Sequence, residues 1–268
     1  MIKSTFGITQ EPFNRHALAL LPQQKEVLDI VQVQAQHGGF SVVVGHPGVG
    51  KSVLRQHIEQ LGEARNTVVV SISRTMHTYN NILKQLAESL HLSVSLRDQE
   101  QALIKTACGC IEERKTLYTL IDEAHLLDMA VLRKLRLLFE RFPPKHNLVL
   151  FGQPELLYAL SMKLNEDLKS RITFSKTLQP LNDEDIEKYI LTELETVHLG
   201  ANTFDDSAIE IIKRAVHGNL RLCRNLCFGS LIAACREGKK QVTTNHVNSV
   251  LIQPHWRSHE ELLQMQAG

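Results

Sequence analysis

Two short stretches carry the residue types that phosphate chemistry needs. Gly45-His46-Pro47-Gly48-Val49-Gly50-Lys51-Ser52 has the spacing G-x-x-x-x-G-K-S, and Ile121-Asp122-Glu123-Ala124-His125 ends an apolar run in paired acids. In the first stretch the glycines let backbone N–H groups converge on phosphate oxygens, where a side chain would block the approach. The Lys51 ammonium then reaches the β- and γ-phosphates, and the Ser52 hydroxyl ligates Mg²⁺. A helix opening at Lys51 and running through Val53 points its positive dipole end at the same anion. In the second stretch Asp122 holds Mg²⁺ directly or through water, and Glu123 polarises the attacking water. The expected cofactors are ATP and Mg²⁺, and the expected reaction is hydrolysis to ADP and phosphate. Each stretch also has a plainer reading: a Gly-rich turn that happens to precede Lys-Ser, and adjacent acids that cap a helix.

The flanking pattern favours the chemical reading. Phe40-Ser41-Val42-Val43-Val44 is short, apolar and β-branched, as a buried parallel strand should be. After the loop, Val53, Leu54, His57, Ile58 and Leu61 recur at helical spacing. Thr67 to Ile72, Leu117 to Ile121 and His146 to Phe151 read as further strands, with helices expected over 78–91, 98–114 and 129–141. Pro22 suits a helix start, and Val27, Leu28, Ile30, Val31 and Val33 to Ala35 give that helix an apolar face ended by His37-Gly38-Gly39. Arg171 to Phe174 reads as a last short strand.

Beyond Leu178-Gln179-Pro180-Leu181 the pattern becomes helical. Asn182 caps a first turn of Asp183, Glu184 and Asp185, and helices are expected near 205–216, 219–236 and 243–250. The expected division is therefore 1–177, an α/β domain with a parallel sheet sandwiched by helices and an apolar lead-in; 178–252, a small all-helical domain; and 253–268, a tail holding Trp256.

Composition narrows the class. At 268 residues, 43% hydrophobic and 22% charged, the chain is that of a globular protein of one large domain, or of a main domain and a small one. No apolar run approaches the ~18 residues that span a bilayer, and Met1 to Phe6 lacks a secretory core. Cytoplasmic residence without membrane insertion is the expectation. The five cysteines are odd in number and lack paired C-x-x-C spacing, so a disulfide framework or zinc site has little support. Net charge is +1, which neither demands nor excludes nucleic acid.

Together these residues resemble an AAA+ ATPase, most closely the ExeA/GspA-like group and the related transposition ATPases of the MuB, TniB and TnsC kind. The resemblance rests on Phe6-Gly7-Ile8 with Pro12-Phe13, the loop at 45–52, Ile121 to His125, and Phe151-Gly152-Gln153-Pro154-Glu155-Leu156. Arg171 ahead of Leu178 to Leu181, and Gly218-Asn219-Leu220-Arg221, complete it. It implies a nucleotide between the sheet domain and a helical lid, with Phe6 to Phe13 near the adenine. It implies that Gln153 is the sensor ending the fourth strand, that Arg221 is a lid sensor on the γ-phosphate, and that Arg171 is a finger inserted by a neighbouring subunit. Relatives often have a proline where Leu220 stands, and Arg224 one turn on could take the lid role. The plainer alternatives are a loop amide for Gln153 and surface ion pairs for the arginines.

Two functions follow from the resemblance. One is an ATP-dependent regulator that assembles as a ring or filament on double-stranded DNA and recruits a transposase, hydrolysis driving disassembly. Its phosphate contacts would come from Arg74, Lys105 and the Arg133, Lys134 and Arg136 helix, which equally reads as a solvated face. The other is a secretion or pilus-assembly ATPase acting on protein partners.

Overall fold

The structure, a computed structural model, describes residues 2–13, 20–72 and 78–256. Its strands are β1 (Gly39–Val44), β2 (Thr67–Ile72), β3 (Thr116–Ile121), β4 (His146–Gly152) and β5 (Phe174–Thr177). The helices begin with α1 (Ile2–Phe6), α2 (Pro22–Gln34), α3 (Lys51–Gln60), α4 (Tyr79–Ser89), α5 (Gln99–Glu112) and α6 (Met129–Glu140). They continue with α7 (Pro154–Ser161), α8 (Glu166–Lys169), α9 (Asp183–Thr196), α10 (Asp206–Val216), α11 (Leu220–Arg236) and α12 (Thr244–Leu251). The chain groups into two compact units, Leu20–Gln179 and Met1–Ala19 with Pro180–Gly268.

In the first unit the strands form one parallel sheet in the order β2-β3-β4-β1-β5. The β-branched runs go to the centre, and β4 is buried along its whole length. Both faces are covered, as a parallel sheet requires. Val27 and Val31 of α2 and Leu54 and Ile58 of α3 pack on Val43, Leu120 and Phe151. On the other face Ile82, Leu103 and Leu135, from α4, α5 and α6, pack on Val42, Val44, Ile121 and Leu150. This is the expected α/β class.

Two local expectations are corrected. The last strand begins at Phe174, where pairing with Ser41 of β1 starts, rather than at Arg171. Ile172 instead packs against the core, and the Thr173 hydroxyl accepts the Phe40 N–H at 3.0 Å. On α2, Val33 is 71% exposed because it falls off the stripe of Val27, Val31 and Ala35 set by the helical period.

The second unit is built from α1 and α9 to α12, with one parallel bridge among the described residues, between Phe204 and Val242, outside the named strands. The Asn182 side chain accepts the Asp185 N–H at 2.7 Å, and Asp205 and Asn219 cap α10 and α11 in the same way. Phe13 packs here, 6.2 Å from the Tyr189 ring and 6.3 Å from Phe204. Its N–H donates to Glu193 Oε2 at 2.9 Å. The lead-in thus groups with the C-terminal helices, not with the sheet that follows it in sequence. Burial pushes the Glu193 carboxyl up to about 7 against the opposing pull of the Phe13 N–H and Arg224. Among the described residues no helix is long and apolar enough to cross a membrane.

Candidate nucleotide-binding site

Strand register puts the chemical residues at one edge. Val44 pairs with Gly152, and Ile121 with Leu150, so β1, β3 and β4 all run out at the same carboxyl end of the sheet. Gly45, Asp122 and Gln153 are the next residues on those three strands. Crevices outside the carboxyl ends of parallel strands are where such sheets bind ligands.

The loop after β1 is shaped for an anion. Gly45 donates its N–H to Gly152 O at 3.2 Å. A Cβ there would lie 2.7 Å from Val49 and 2.9 Å from Leu178 O, so only glycine lets the turn start against β5. Gly50, at φ 98, adopts the left-handed backbone as the N-cap of α3, which would cost another residue roughly 1–2 kcal/mol. The fully buried Gln24 braces it by donating Nε2–H to Gly50 O at 3.2 Å. Val49 and Val53 are buried and anchor the loop, while His46, Pro47 and Ser52 are exposed and Gly48 is half-buried.

Lys51 is 8% exposed, and its ammonium donates to the carbonyls of Gly45 and, at 3.1 Å, of His46. The loop is wrapped around its own cation. A triphosphate fits this cradle on the donor set alone: an ammonium, glycine backbone, and the positive end of a ten-residue helix.

The acids lie across from it. Asp122 Oδ1 accepts the Glu123 N–H at 2.9 Å, and Oδ2 lies 3.2 Å from Arg55 Nε. Arg55 sits on α3, one turn past Lys51; it also pairs with Glu59 and donates to Ser71 Oγ at 3.1 Å. One guanidinium thereby joins α3 to the ends of β2 and β3. Glu123 has a left-handed backbone (φ 51, ψ 34), a conformation that costs a non-glycine roughly 1–2 kcal/mol and gathers at functional sites. Its carboxylate is 48% exposed, with Oε2 3.4 Å from Nδ1 of His125. His125 Nε2 in turn meets the Gln153 amide nitrogen at 3.0 Å.

The other expected residues are placed as follows. Arg171 is exposed and pairs with Glu140 at 3.1 Å. Arg221 is exposed on α11 in the second unit, and the half-buried Arg224 faces Glu193. Arg133 donates to Leu164 O and Asn165 Oδ1 and pairs with Asp167, and Arg136 pairs with Glu140. Lys134 lies 5.7 Å over the Tyr79 ring, and Lys105 is exposed. Arg74 lies outside the described residues. Reading the sequence missed the parts played by Arg55 and His125. The only hint of His125 was its place in the Asp-Glu-Ala-His run, and Arg55 gave none.

Comparison with known proteins agrees with this geometry. Residues 33–160 match the family model described as an AAA domain. The chain is 28% identical to "General secretion pathway protein A" of Aeromonas hydrophila, covering 92% of this chain and 47% of that protein. It therefore spans about half the length of the curated relative it matches. In structure it is similar to the Aeropyrum pernix ORC2 protein (TM-score 0.71, 15% identity, 90% of this chain and 71% of that chain). It is similar also to Cdc6p from Pyrobaculum aerophilum (0.69, 16%, 90% and 68%). A third likeness is to the RuvB Holliday junction branch migration motor of Thermotoga maritima (0.56, 16%, 85% and 67%). At these identities the structural likenesses establish the fold. Residues 33–160 resemble an AAA domain, the chain has the AAA+ fold, and it is similar to general secretion pathway protein A.

Proposed function

We propose that the chain is a Mg²⁺-dependent ATPase acting on protein partners in secretion or pilus assembly. The observation that supports the ATPase reading is that the Lys51 loop and the Asp122–Glu123 pair follow strands that end at the same sheet edge, with Arg55 joining the loop helix to Asp122. The partner class rests on the similarity to general secretion pathway protein A over 92% of the chain. Assembly into a homo-oligomeric ring is in keeping with AAA domains generally. The transposition reading, with duplex DNA and a transposase as partners, gains nothing from that relative's name. Two of its candidate cations, Arg133 and Arg136, are engaged by acids of the same chain.

Catalysis falls to few groups. Lys51 exchanges its two neutral loop carbonyls for phosphate oxygens, a swap favoured because the ammonium then meets an ionised acceptor. Ser52 and Asp122 would hold Mg²⁺, which would withdraw charge from the transferring phosphoryl group. Glu123, with half its carboxylate in solvent, takes the proton of the attacking water. Gln153 places that water or reads the γ-phosphate, Arg221 contacts the phosphate from the lid, and Arg171 supplies the finger to a neighbouring subunit.

Turnover of ATP with Mg²⁺, with and without duplex DNA, tests this function. The expected result is steady hydrolysis that DNA leaves unchanged and that Lys51→Ala abolishes. Turnover and large particles that form only with DNA would replace it by the transposition reading, and no turnover under any condition would remove the ATPase.

A further inference from the structure

At the mouth of the site one imidazole lies between residues just past the ends of two strands, Gln153 after β4 and Glu123 after β3. His125 has an 11% exposed side chain, with Nε2 on Gln153 and Nδ1 toward Glu123. Gly152 makes the approach possible: a Cβ there would stand 3.3 Å from the His125 backbone nitrogen and 2.8 Å from Leu156. Nδ1 is shut off from solvent and makes no well-formed hydrogen bond; Glu123 Oε2 lies 3.4 Å away. Because the Gln153 amide nitrogen can only donate, the ring nitrogen it meets accepts, and the ring proton sits on Nδ1, facing the carboxylate. The order is Gln153 N–H to His125 Nε2, then His125 Nδ1–H toward Glu123.

We propose that His125 is a positioning residue that carries the state of Gln153 to Glu123. This rests on the ATPase reading, in which Gln153 faces the γ-phosphate and Glu123 activates water. With no phosphate to engage, Gln153 holds the ring, and the ring draws the Glu123 carboxylate aside through a long contact that is easily broken. When Gln153 turns to a phosphate oxygen, Nε2 loses its donor. The imidazole is then free to turn, and Glu123 is released toward the water.

The experiment is ¹⁵N NMR of the histidine rings of the whole chain, with His125 assigned by its loss in His125→Asn. In the free protein the ring should show the Nδ1–H tautomer. A non-hydrolysable ATP analogue with Mg²⁺ should change its ring nitrogen shifts, and Gln153→Ala should remove that change while the analogue still binds. Kinetics give a second readout. His125→Ala removes the contact that draws Glu123 aside, so kcat should stay at the parent's value or rise with KM little altered, whereas Gln153→Ala should lower kcat by its loss of water placement. An Nε2–H tautomer in the free protein, shifts indifferent to bound analogue, or a His125→Ala kcat well below the parent's would each overturn the relay. An analogue that does not bind at all would instead count against the ATPase reading, while the free-protein tautomer would still decide the contact.

Discussion

Arg55 Nε lies 3.2 Å from Asp122 Oδ2, so the helix that opens at the phosphate loop holds the acid expected to bind the metal. The other carboxylate oxygen accepts the Glu123 N–H. Asp122 is thereby fixed in orientation, but beside a permanent positive charge.

That charge disfavours a second cation on the same carboxylate. Arg55→Ala should therefore lower the Mg²⁺ concentration for half-maximal binding of a fluorescent ATP analogue, by about threefold to tenfold. A metal titration of the variant against the parent checks it. A higher requirement for Mg²⁺ would mean that the guanidinium helps the metal by orienting Asp122.

Glu193 predicts a pH dependence in the helical unit. Burial raises its folded carboxyl to about 7, above the ordinary carboxyl value of 4.5, so the folded chain binds the proton more tightly than the unfolded chain. The sign follows: stability falls as pH rises from about 4.5 to about 7 and this contribution is level above it. Glu193→Gln keeps an oxygen to accept the Phe13 N–H but removes the charge. Thermal melts should show the variant more stable than the parent at pH 8 and nearly equal at pH 5. Equal melting at both values would refute the assignment.

Arg171 pairs with Glu140 on an open surface, its side chain 59% exposed. Such pairs contribute about 0–1 kcal/mol, so Arg171→Ala should leave the melting temperature nearly unchanged. If it serves a neighbouring subunit, turnover should drop only at protein concentrations where the chain assembles. A rate that stays normal in the assembled state would exclude the finger.

Much of the sheet unit could be read from the sequence because its signals are local. Val42 to Val44 and Leu148 to Phe151 are unbroken apolar runs, and the glycines of 45–50 fix the turn between strand and helix. The rest depends on partners far along the chain. Phe13 joins the helical unit through Glu193, and no periodicity in residues 6–13 announces that contact. Arg171 to Phe174 has strand composition throughout, yet pairing with β1 starts only at Phe174, because Ile172 turns into the core. Arg55 is one more polar residue on α3 until β3 brings Asp122 beside it. His125 gains its place from Gly152 and Gln153, at the end of the next strand, β4.

Glu123→Gln gives the most direct test of Glu123 as the base, with binding of radiolabelled ATP and its hydrolysis measured on the same sample. The amide cannot take a proton from water, while Lys51 and the loop still hold the phosphates. ATP should be retained with the parent's affinity and remain uncleaved, turnover falling by a factor of about 10² or more. Hydrolysis at the parent's rate would contradict the assignment of Glu123 as the base, and loss of ATP binding would contradict the separation of holding from cleaving.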